Sequence, residues 1–382
     1  MPGNAPSSTR IVLSAFLALA VAMGIGRFAF TPLLPMMMGD TGLTLAEGGW
    51  LATANYAGYL LGAVSAGWLP AHRESLVIRA GLLTVVLSTA AMGWTDAFAA
   101  WMALRALAGV ASAWLLVHVS AWALRELARR ERVALSARIF GGVGTGIATA
   151  GLLVLALAPL GAESSLAWML LGLLALVLSA AAWPGFRSSG EAQPQGSSRG
   201  DTGPHALRLV LCYGAYGLGY IIPATFLPAL AREAMPDPAM FGWVWPLFGT
   251  VAVISTLAAE RVQRRFAPLT LWIVSHIFIA AGVLLLFLPH STLAILLSAV
   301  CVGGTFMVVT VAGFQFARQM AGRSATRLIA AMTAAFALGQ IAGPLLLAWS
   351  ERSLGVGASL ALAAFALLAS AWALWRIPKA AV

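Results

Sequence analysis

Apolar stretches of about twenty residues follow one another along almost the whole chain, and each is long enough to cross a lipid bilayer as a helix. Charged residues, prolines and glycines separate these stretches. With those residues as boundaries, the sequence predicts twelve spans, at residues 10–38, 48–69, 76–94, 98–123, 134–159, 165–186, 207–231, 240–259, 267–288, 291–317, 325–349 and 354–376. Because only helices and closed barrels satisfy their backbone hydrogen bonds in lipid, the chain is predicted to be an all-α membrane protein.

The composition excludes several classes of protein. Hydrophobic residues make up 60% of the 382 residues and charged residues 9%, whereas an average soluble domain has about 25% charged residues. A soluble enzyme, a nucleic-acid binder and a disordered chain are therefore excluded. The only two cysteines, Cys212 and Cys301, lie inside apolar stretches, so we expect no disulfide framework, no metal and no cofactor.

The arginines predict the orientation of the chain in the membrane. With both termini in the cytoplasm, 19 of the 23 basic residues lie in cytoplasmic segments, and only Arg232 and Arg352 lie on the opposite side. Such an excess follows the rule that cytoplasmic loops are positively charged. It also accounts for the net charge of +10 through topology and contact with anionic lipids, without a nucleic-acid partner.

Residues in the first part of the sequence match residues in the second part that lie a constant number of positions later. This number of positions is hereafter the repeat offset. The repeat offset aligns the following pairs: Gly24 with Gly217, Gly26 with Gly219, Pro35 with Pro228, Trp50 with Trp243, Arg125 with Arg318, and Gly146 with Gly339. Each copy of the repeat contains six spans. Because six is an even number, both copies begin on the same side of the membrane and have the same orientation, as in transporters built from parallel repeats. We therefore predict two six-helix bundles, at residues 1–186 and 207–382, joined by a cytoplasmic linker at 187–206, in a monomer.

Two short motifs resemble those of the major facilitator superfamily. Leu104-Arg105-xxx-Gly109 is similar to the arginine motif of the family's fourth helix, and the segment from Glu260 to Arg265 is similar to its cytoplasmic gate motif. The resemblance implies two six-helix bundles and transport by rocker-switch alternating access. It also implies a cytoplasmic gate made of Arg73, Glu260, Arg261, Arg264 and Arg265. The first-half counterpart of this motif, from Gly67 to Arg73, lacks the acidic residue.

Two further segments resemble the YbfB/YjiJ branch of this superfamily in bacteria. They are Gly24-Ile-Gly-Arg-Phe-Ala-Phe-Thr-Pro-Leu-Leu-Pro35 and Asn55-Tyr56-xx-Tyr59-Leu-xx-Ala63. The resemblance implies a transporter fold and a bacterial inner-membrane location. It does not imply a substrate.

Two arginines lie inside predicted spans without an acidic residue at the same depth. Arg27 lies in the first span and Arg105 in the fourth, while all 13 acidic residues fall at span ends or in loops. A buried charge without a partner is strongly unfavourable, and the guanidinium group suits carboxylates and phosphates. One hypothesis is that both arginines attract an anionic substrate. Alternatively, Arg27 extends toward Asp40 or Glu47, and Arg105 binds backbone carbonyls or takes part in proton transfer.

Other polar residues are candidates for the lining of the same site. All five tyrosines of the chain lie on the second and seventh spans. The substrate-binding candidates besides the two arginines are Tyr56, Tyr59, Tyr216, Tyr220, Gln315 and Gln340. His118 is a second candidate for proton coupling beside Arg105, with packing in the core as its alternative, and we interpret His276 as a packing residue.

The sequence thus favours a secondary transporter of the inner membrane that moves a small organic anion or amphiphilic acid and uses the proton gradient. One alternative is efflux of neutral or amphiphilic drugs and toxic metabolites. The other is an integral lipid-modifying enzyme. Such an enzyme needs paired carboxylates or a nucleophile with its base at membrane depth, and the sequence contains neither, so we predict that the protein is not an enzyme.

Overall fold

The computed structural model describes residues 7–186, 204–234, 242–288, 291–353 and 356–377. These residues form helices and no strands, which confirms the predicted fold class. The twelve helices are α1 Ser8–Asp40, α2 Leu45–Ala66, α3 Glu74–Ala91, α4 Phe98–Ala128, α5 Ser136–Leu157, α6 Ser164–Ala182, α7 Pro204–Ala234, α8 Val244–Val262, α9 Pro268–Leu285, α10 Thr292–Ala321, α11 Ala325–Ser353 and α12 Val356–Trp375. Most of the predicted linker, at 187–203, lies outside the described residues.

Ten of these helices are long and apolar enough to cross a membrane by length and composition. The other two are α2 and α8, which occupy equivalent places in the two copies of the repeat. Both carry small and polar residues because they pack against protein on several sides: α2 against α4 and α11, and α8 against α5 and α10. Their lower apolar content therefore reflects these contacts with other helices.

Helix contacts fall into two groups, α1–α6 (the first half) and α7–α12 (the second half). The halves meet mainly where α2 packs against α11 and where α5 packs against α8. The second contact is close, because a Cβ added to Gly144 of α5 would lie 2.6 Å from the carbonyl oxygen of Gly249 of α8. The repeat offset maps α2 onto α8 and α5 onto α11, so it relates the two contacts to each other, as expected for parallel repeats.

The sequence repeat reappears as a repeated contact between helices. A Cβ added to Gly146 of α5 would lie 2.7 Å from the Cα of Gly24 on α1, and a Cβ added to Gly339 of α11 would lie 3.1 Å from the carbonyl carbon of Gly217 on α7. The repeat offset relates one pair to the other. Small residues at these four positions let the helix backbones approach each other.

Helix α1 is interrupted by a segment of π-helix, Ala20–Phe28. π-helical segments are rare and occur frequently at functional sites. In a π-helix, the carbonyl of Arg27 would accept from the residue five positions later, but this residue is Pro32, which has no N–H group. The carbonyl therefore needs a donor from elsewhere in the protein.

Candidate substrate-binding site

The side chain of Arg27 projects from the π-helical segment into a group of aromatic rings. Its Cζ atom lies 3.9 Å from the ring centroid of Tyr59 and 5.5–5.8 Å from the centroids of Phe28, Tyr56 and Phe336. A cation at these distances from aromatic faces is attracted by the ring quadrupoles. These four rings and Arg27, hereafter the arginine cage, bring together α1, α2 and α11.

One neutral side chain completes the environment of Arg27. The Nη2 group of Arg27 donates a hydrogen bond to Oε1 of Gln340, while Nε and Nη1 have no hydrogen-bond partner. Both residues are buried, with 3% of Arg27 and none of Gln340 exposed. The arginine cage therefore contains a cation with two unused donors.

The carboxylates suggested as partners of Arg27 bind elsewhere. Asp40 accepts hydrogen bonds from the backbone N–H and the hydroxyl of Ser164. Glu47 forms a capping box with Thr44 at the start of α2, with the Thr44 N–H 2.9 Å from Glu47 Oε2. Among the described residues, none of the salt bridges involves Arg27 or Arg105. Two buried cations without a paired carboxylate make this region attractive to anions.

Arg105 of α4 binds the backbone of the π-helical segment. Its Nη1 and Nη2 groups donate to the carbonyl oxygens of Gly26 and Arg27, each at 3.3 Å. One helical face of α4 also carries Ser112, whose hydroxyl donates to the Ala22 carbonyl at 2.6 Å. Arg105 therefore supplies the donor that Pro32 lacks, which is the backbone alternative raised by the sequence. Its guanidinium also lies 4.6 Å from the ring centroid of Phe30.

The tyrosines of α7 form an aromatic cluster beside the arginine cage. Tyr220 stacks on Phe306 and Phe336, with ring centroids 5.4 and 6.3 Å away. The Tyr216 hydroxyl donates to the Phe306 carbonyl at 2.6 Å. Because Phe336 belongs to both groups, Tyr216 and Tyr220 lie next to the arginine cage. Phe28, Phe306 and Phe336 were not among the site residues predicted from the sequence. The only sequence signal for any of them is the position of Phe336, which lies four residues, or one helical turn, before Gln340.

The structure does not bring Gln315 to this site. Its Nε2 group donates to the hydroxyl of Ser136 at 2.7 Å and to Oε1 of Gln263 at 3.0 Å. These residues lie where α5, α8 and α10 meet, at the arginine-rich end of the bundle, hereafter the basic end. The structure therefore places Gln315 apart from the tyrosines, because its amide links the halves at that end.

The basic end also contains the gate residues suggested by the sequence. Glu260 of α8 is buried and forms an ion pair with Arg138 of α5, at 2.6 Å, and a longer one with Arg264, at 3.8 Å. The motif did not include Arg138, which is the residue that links Glu260 to the first half. The other gate residues, Arg73, Arg261, Arg264 and Arg265, are exposed.

Both histidines considered above are buried. Nε2 of His118 has no hydrogen-bond partner, and the residue is 2% exposed. His276 is fully buried, and its Nδ1 lies 3.0 Å from the Trp272 carbonyl oxygen. Its ring also packs against Tyr216, at 5.8 Å between centroids.

Comparison with known proteins agrees with this architecture. The family model described as "Uncharacterised MFS-type transporter YbfB" matches residues 19–375. The fold is similar to that of the human organic anion transporter MFSD10 (TETRAN), with a TM-score of 0.79 and 16% sequence identity over 97% of this chain and 100% of that chain. No curated protein sequence matches the chain.

Proposed function

Because the chain belongs to the YbfB family of MFS-type transporters, we propose that it carries a small organic anion or amphiphilic acid by rocker-switch alternating access. The observation that supports this substrate class is Arg27, a buried guanidinium whose Nε and Nη1 groups have no hydrogen-bond partner. Hydrogen bonds between an ionised donor and an ionised acceptor are about twice as strong as neutral ones. A carboxylate on Arg27 would therefore use donors that the protein leaves unused.

The aromatic surroundings favour an anion with an apolar body. Tyr220, Phe306 and Phe336 offer ring faces next to the guanidinium, so an apolar tail can pack there while the acid group binds Arg27. The structurally similar MFSD10 is described as an organic anion transporter, which is compatible with this proposal. Efflux of neutral amphiphiles is the competing proposal, because the same rings would bind an uncharged compound.

We also propose the membrane setting and the source of energy. The protein is a monomer of the bacterial inner membrane, with both termini and the basic end in the cytoplasm, since the distribution of arginines follows the positive-inside rule. The proton gradient supplies the energy, and His118 and Arg105 are the candidate residues for proton coupling. His118 is a candidate because its Nε2 is buried without a hydrogen-bond partner.

Flux into proteoliposomes tests the substrate class. We expect radiolabelled benzoate or octanoate, both carboxylates with an apolar body, to enter proteoliposomes faster than protein-free liposomes, and benzamide, which resembles benzoate without the charge, to enter both at the same rate. Arg27→Gln should lower the affinity at least about tenfold, because a hydrogen bond to a charged group contributes about 1.5–3 kcal/mol. Arg129→Gln, which removes a half-exposed arginine at the basic end, is the matched control.

Two outcomes contradict the proposal. Transport of benzamide at the rate of benzoate, unaffected by Arg27→Gln, would favour the efflux of neutral amphiphiles. Transport of neither carboxylate would remove this substrate class. Collapse of the proton gradient by an ionophore should abolish accumulation, and accumulation that persists would exclude proton coupling.

A further inference from the structure

We infer that Gln340 is a displaceable occupant of the anion position on Arg27, so that a substrate carboxylate binds by replacing the Gln340 amide oxygen. This inference rests on the proposed function, since it concerns how the same site takes an anion. It assigns Gln340 the role of an internal competitor rather than that of a substrate ligand. The two roles predict opposite effects for the same substitution.

The geometry of the guanidinium group supports competition. A guanidinium offers two edges with paired N–H groups, one formed by Nη1 and Nη2 and the other by Nε and Nη2, and either edge can bind a carboxylate through two parallel hydrogen bonds. Both edges include Nη2. In this protein the Gln340 oxygen is on Nη2, while Nε and Nη1 are unpaired. Nη2 carries one N–H on each edge and Gln340 occupies one of them, so a carboxylate that binds that edge with both oxygens must replace the Gln340 oxygen.

The environment of Arg27 determines how easily Gln340 can be replaced. The ring of Tyr59 covers a face of the guanidinium, with its centroid 3.9 Å from Cζ. Gln340 is held weakly, because its own Nε2 group is buried without a hydrogen-bond partner. An ionised carboxylate forms the stronger hydrogen bond with a guanidinium than a neutral amide does. Exchange of the amide for a carboxylate is therefore favourable.

Displacement of Gln340 also removes a link between the halves. Arg27 belongs to α1 of the first half and Gln340 to α11 of the second. The repeat offset places Tyr220 and Ile147 at the equivalent positions, and these side chains cannot form such a link. The polar links at the basic end, Arg138 with Glu260 and Ser136 with Gln315, do not involve the site. Substrate binding would thus remove the hydrogen bond between α11 and α1, while the contact of Phe336 with Arg27 and the links at the basic end remain.

Equilibrium binding of radiolabelled benzoate and octanoate to the purified full-length protein tests the inference. Gln340→Glu supplies a permanent carboxylate to Arg27 and should weaken binding of both probes at least tenfold. Gln340→Met removes the competing oxygen at similar volume, and binding should be as tight as in the unmodified protein or tighter. Gln319→Glu introduces the same charge at an exposed position of α10 and should change affinity less than twofold.

The outcomes separate this inference from the proposed function. A tenfold loss of affinity in Gln340→Met would overturn the inference, because Gln340 would then be a substrate ligand, and so would unchanged affinity in Gln340→Glu. The proposed function would survive both results, provided that Arg27→Gln lowers the affinity at least about tenfold. Failure of the unmodified protein to bind either probe, or unchanged binding in Arg27→Gln, would overturn the proposed function and the inference together. Because methionine is uncharged and similar in size to glutamine, the Gln340→Met variant keeps the test valid if the Gln340→Glu variant does not fold.

Discussion

The guanidinium of Arg138, near the start of α5, donates two hydrogen bonds to the carboxylate of Glu260, near the end of α8: Nε to Oε2 at 2.6 Å and Nη2 to Oε1 at 3.2 Å. The repeat offset places Ala331 and Gly67 at the equivalent positions, where no ion pair can form. There the halves pack through small residues, since a Cβ on Gly67 would lie 3.4 Å from the Cβ of Ala330. At the basic end, an ion pair therefore joins α5 to α8, whereas close packing of small residues joins α2 to α11.

Glu260→Gln should make the basic end open more often. Arg138 is half exposed and Glu260 is 9% exposed in the pair, so we expect the loss of about 1 kcal/mol, which changes an equilibrium about fivefold. A cysteine in place of the buried Ser136, in a background without the two native cysteines, should then react with a maleimide several times faster. Glu74→Gln, which breaks an ion pair inside the first half, should leave that rate unchanged. Equal acceleration by both substitutions would contradict a role of Glu260 in joining the halves.

Arg105→Lys should weaken anion binding, although Arg105 is a positioning residue. An ammonium group lacks the planar fork that lets Arg105 reach the carbonyls of Gly26 and Arg27 together. The loss of one such hydrogen bond, about 1–1.5 kcal/mol, should lower benzoate affinity about tenfold in equilibrium binding. The control is Ser112→Ala, which removes a bond to Ala22 and should lower thermal stability with little change in affinity. If Arg105→Lys binds benzoate normally, the fork geometry is not required.

Tyr59 should act through its ring rather than its hydroxyl. The Tyr59 hydroxyl is buried without a hydrogen-bond partner, while the ring lies against Arg27. Tyr59→Phe should therefore keep the affinity for benzoate within about twofold. Tyr59→Leu should weaken it about five- to thirtyfold, as expected from a desolvated cation–π contact of about 1–2 kcal/mol. A large loss in Tyr59→Phe would show instead that the hydroxyl contacts the substrate.

Gly146→Ala should destabilise the protein, although alanine is the better helix former by about 1 kcal/mol. The added Cβ would lie 2.6 Å from the carbonyl oxygen of Ala20, and such overpacking costs about 1–3 kcal/mol. Thermal denaturation in detergent should show a lower midpoint. Gly304→Ala is the matched control, since its Cβ would have an ordinary contact at 3.4 Å with Val251, and its midpoint should be unchanged or higher. Similar midpoints for both variants would show that α1 and α5 can move apart at no cost.

Much of the fold could be predicted because its signals are local. Hydropathy over windows of about twenty residues predicts helices one at a time, and the repeat offset predicts that Gly24 and Gly217 make equivalent contacts. The π-helical segment could not be predicted in this way. Gly24, Gly26 and Pro32 indicate a weak place in the helix but not the type of turn, and the wider turn is stabilised by Arg105 and Ser112, which come from another helix.

The residues of the candidate site could likewise be predicted only in part from the sequence. A buried arginine without a nearby acidic residue is visible in the sequence, so Arg27 could be proposed from hydropathy alone. Gln315 and Gln340 look alike there, because each is an amide inside an apolar stretch, and yet one binds Ser136 at the basic end and the other binds Arg27. The difference depends on which helix of the opposite half faces each side chain.

The order of residues was enough to specify the number of helices, their repetition and the presence of cations inside an apolar bundle, because these follow from the cost of exposing polar groups to lipid. The packing of the helices then selected the partners of those cations: Gln340 and four rings for Arg27, backbone carbonyls for Arg105, and Glu260 for Arg138 at the basic end. Most of these partners come from helices distant in sequence, and such pairings exist only once the chain has folded in three dimensions.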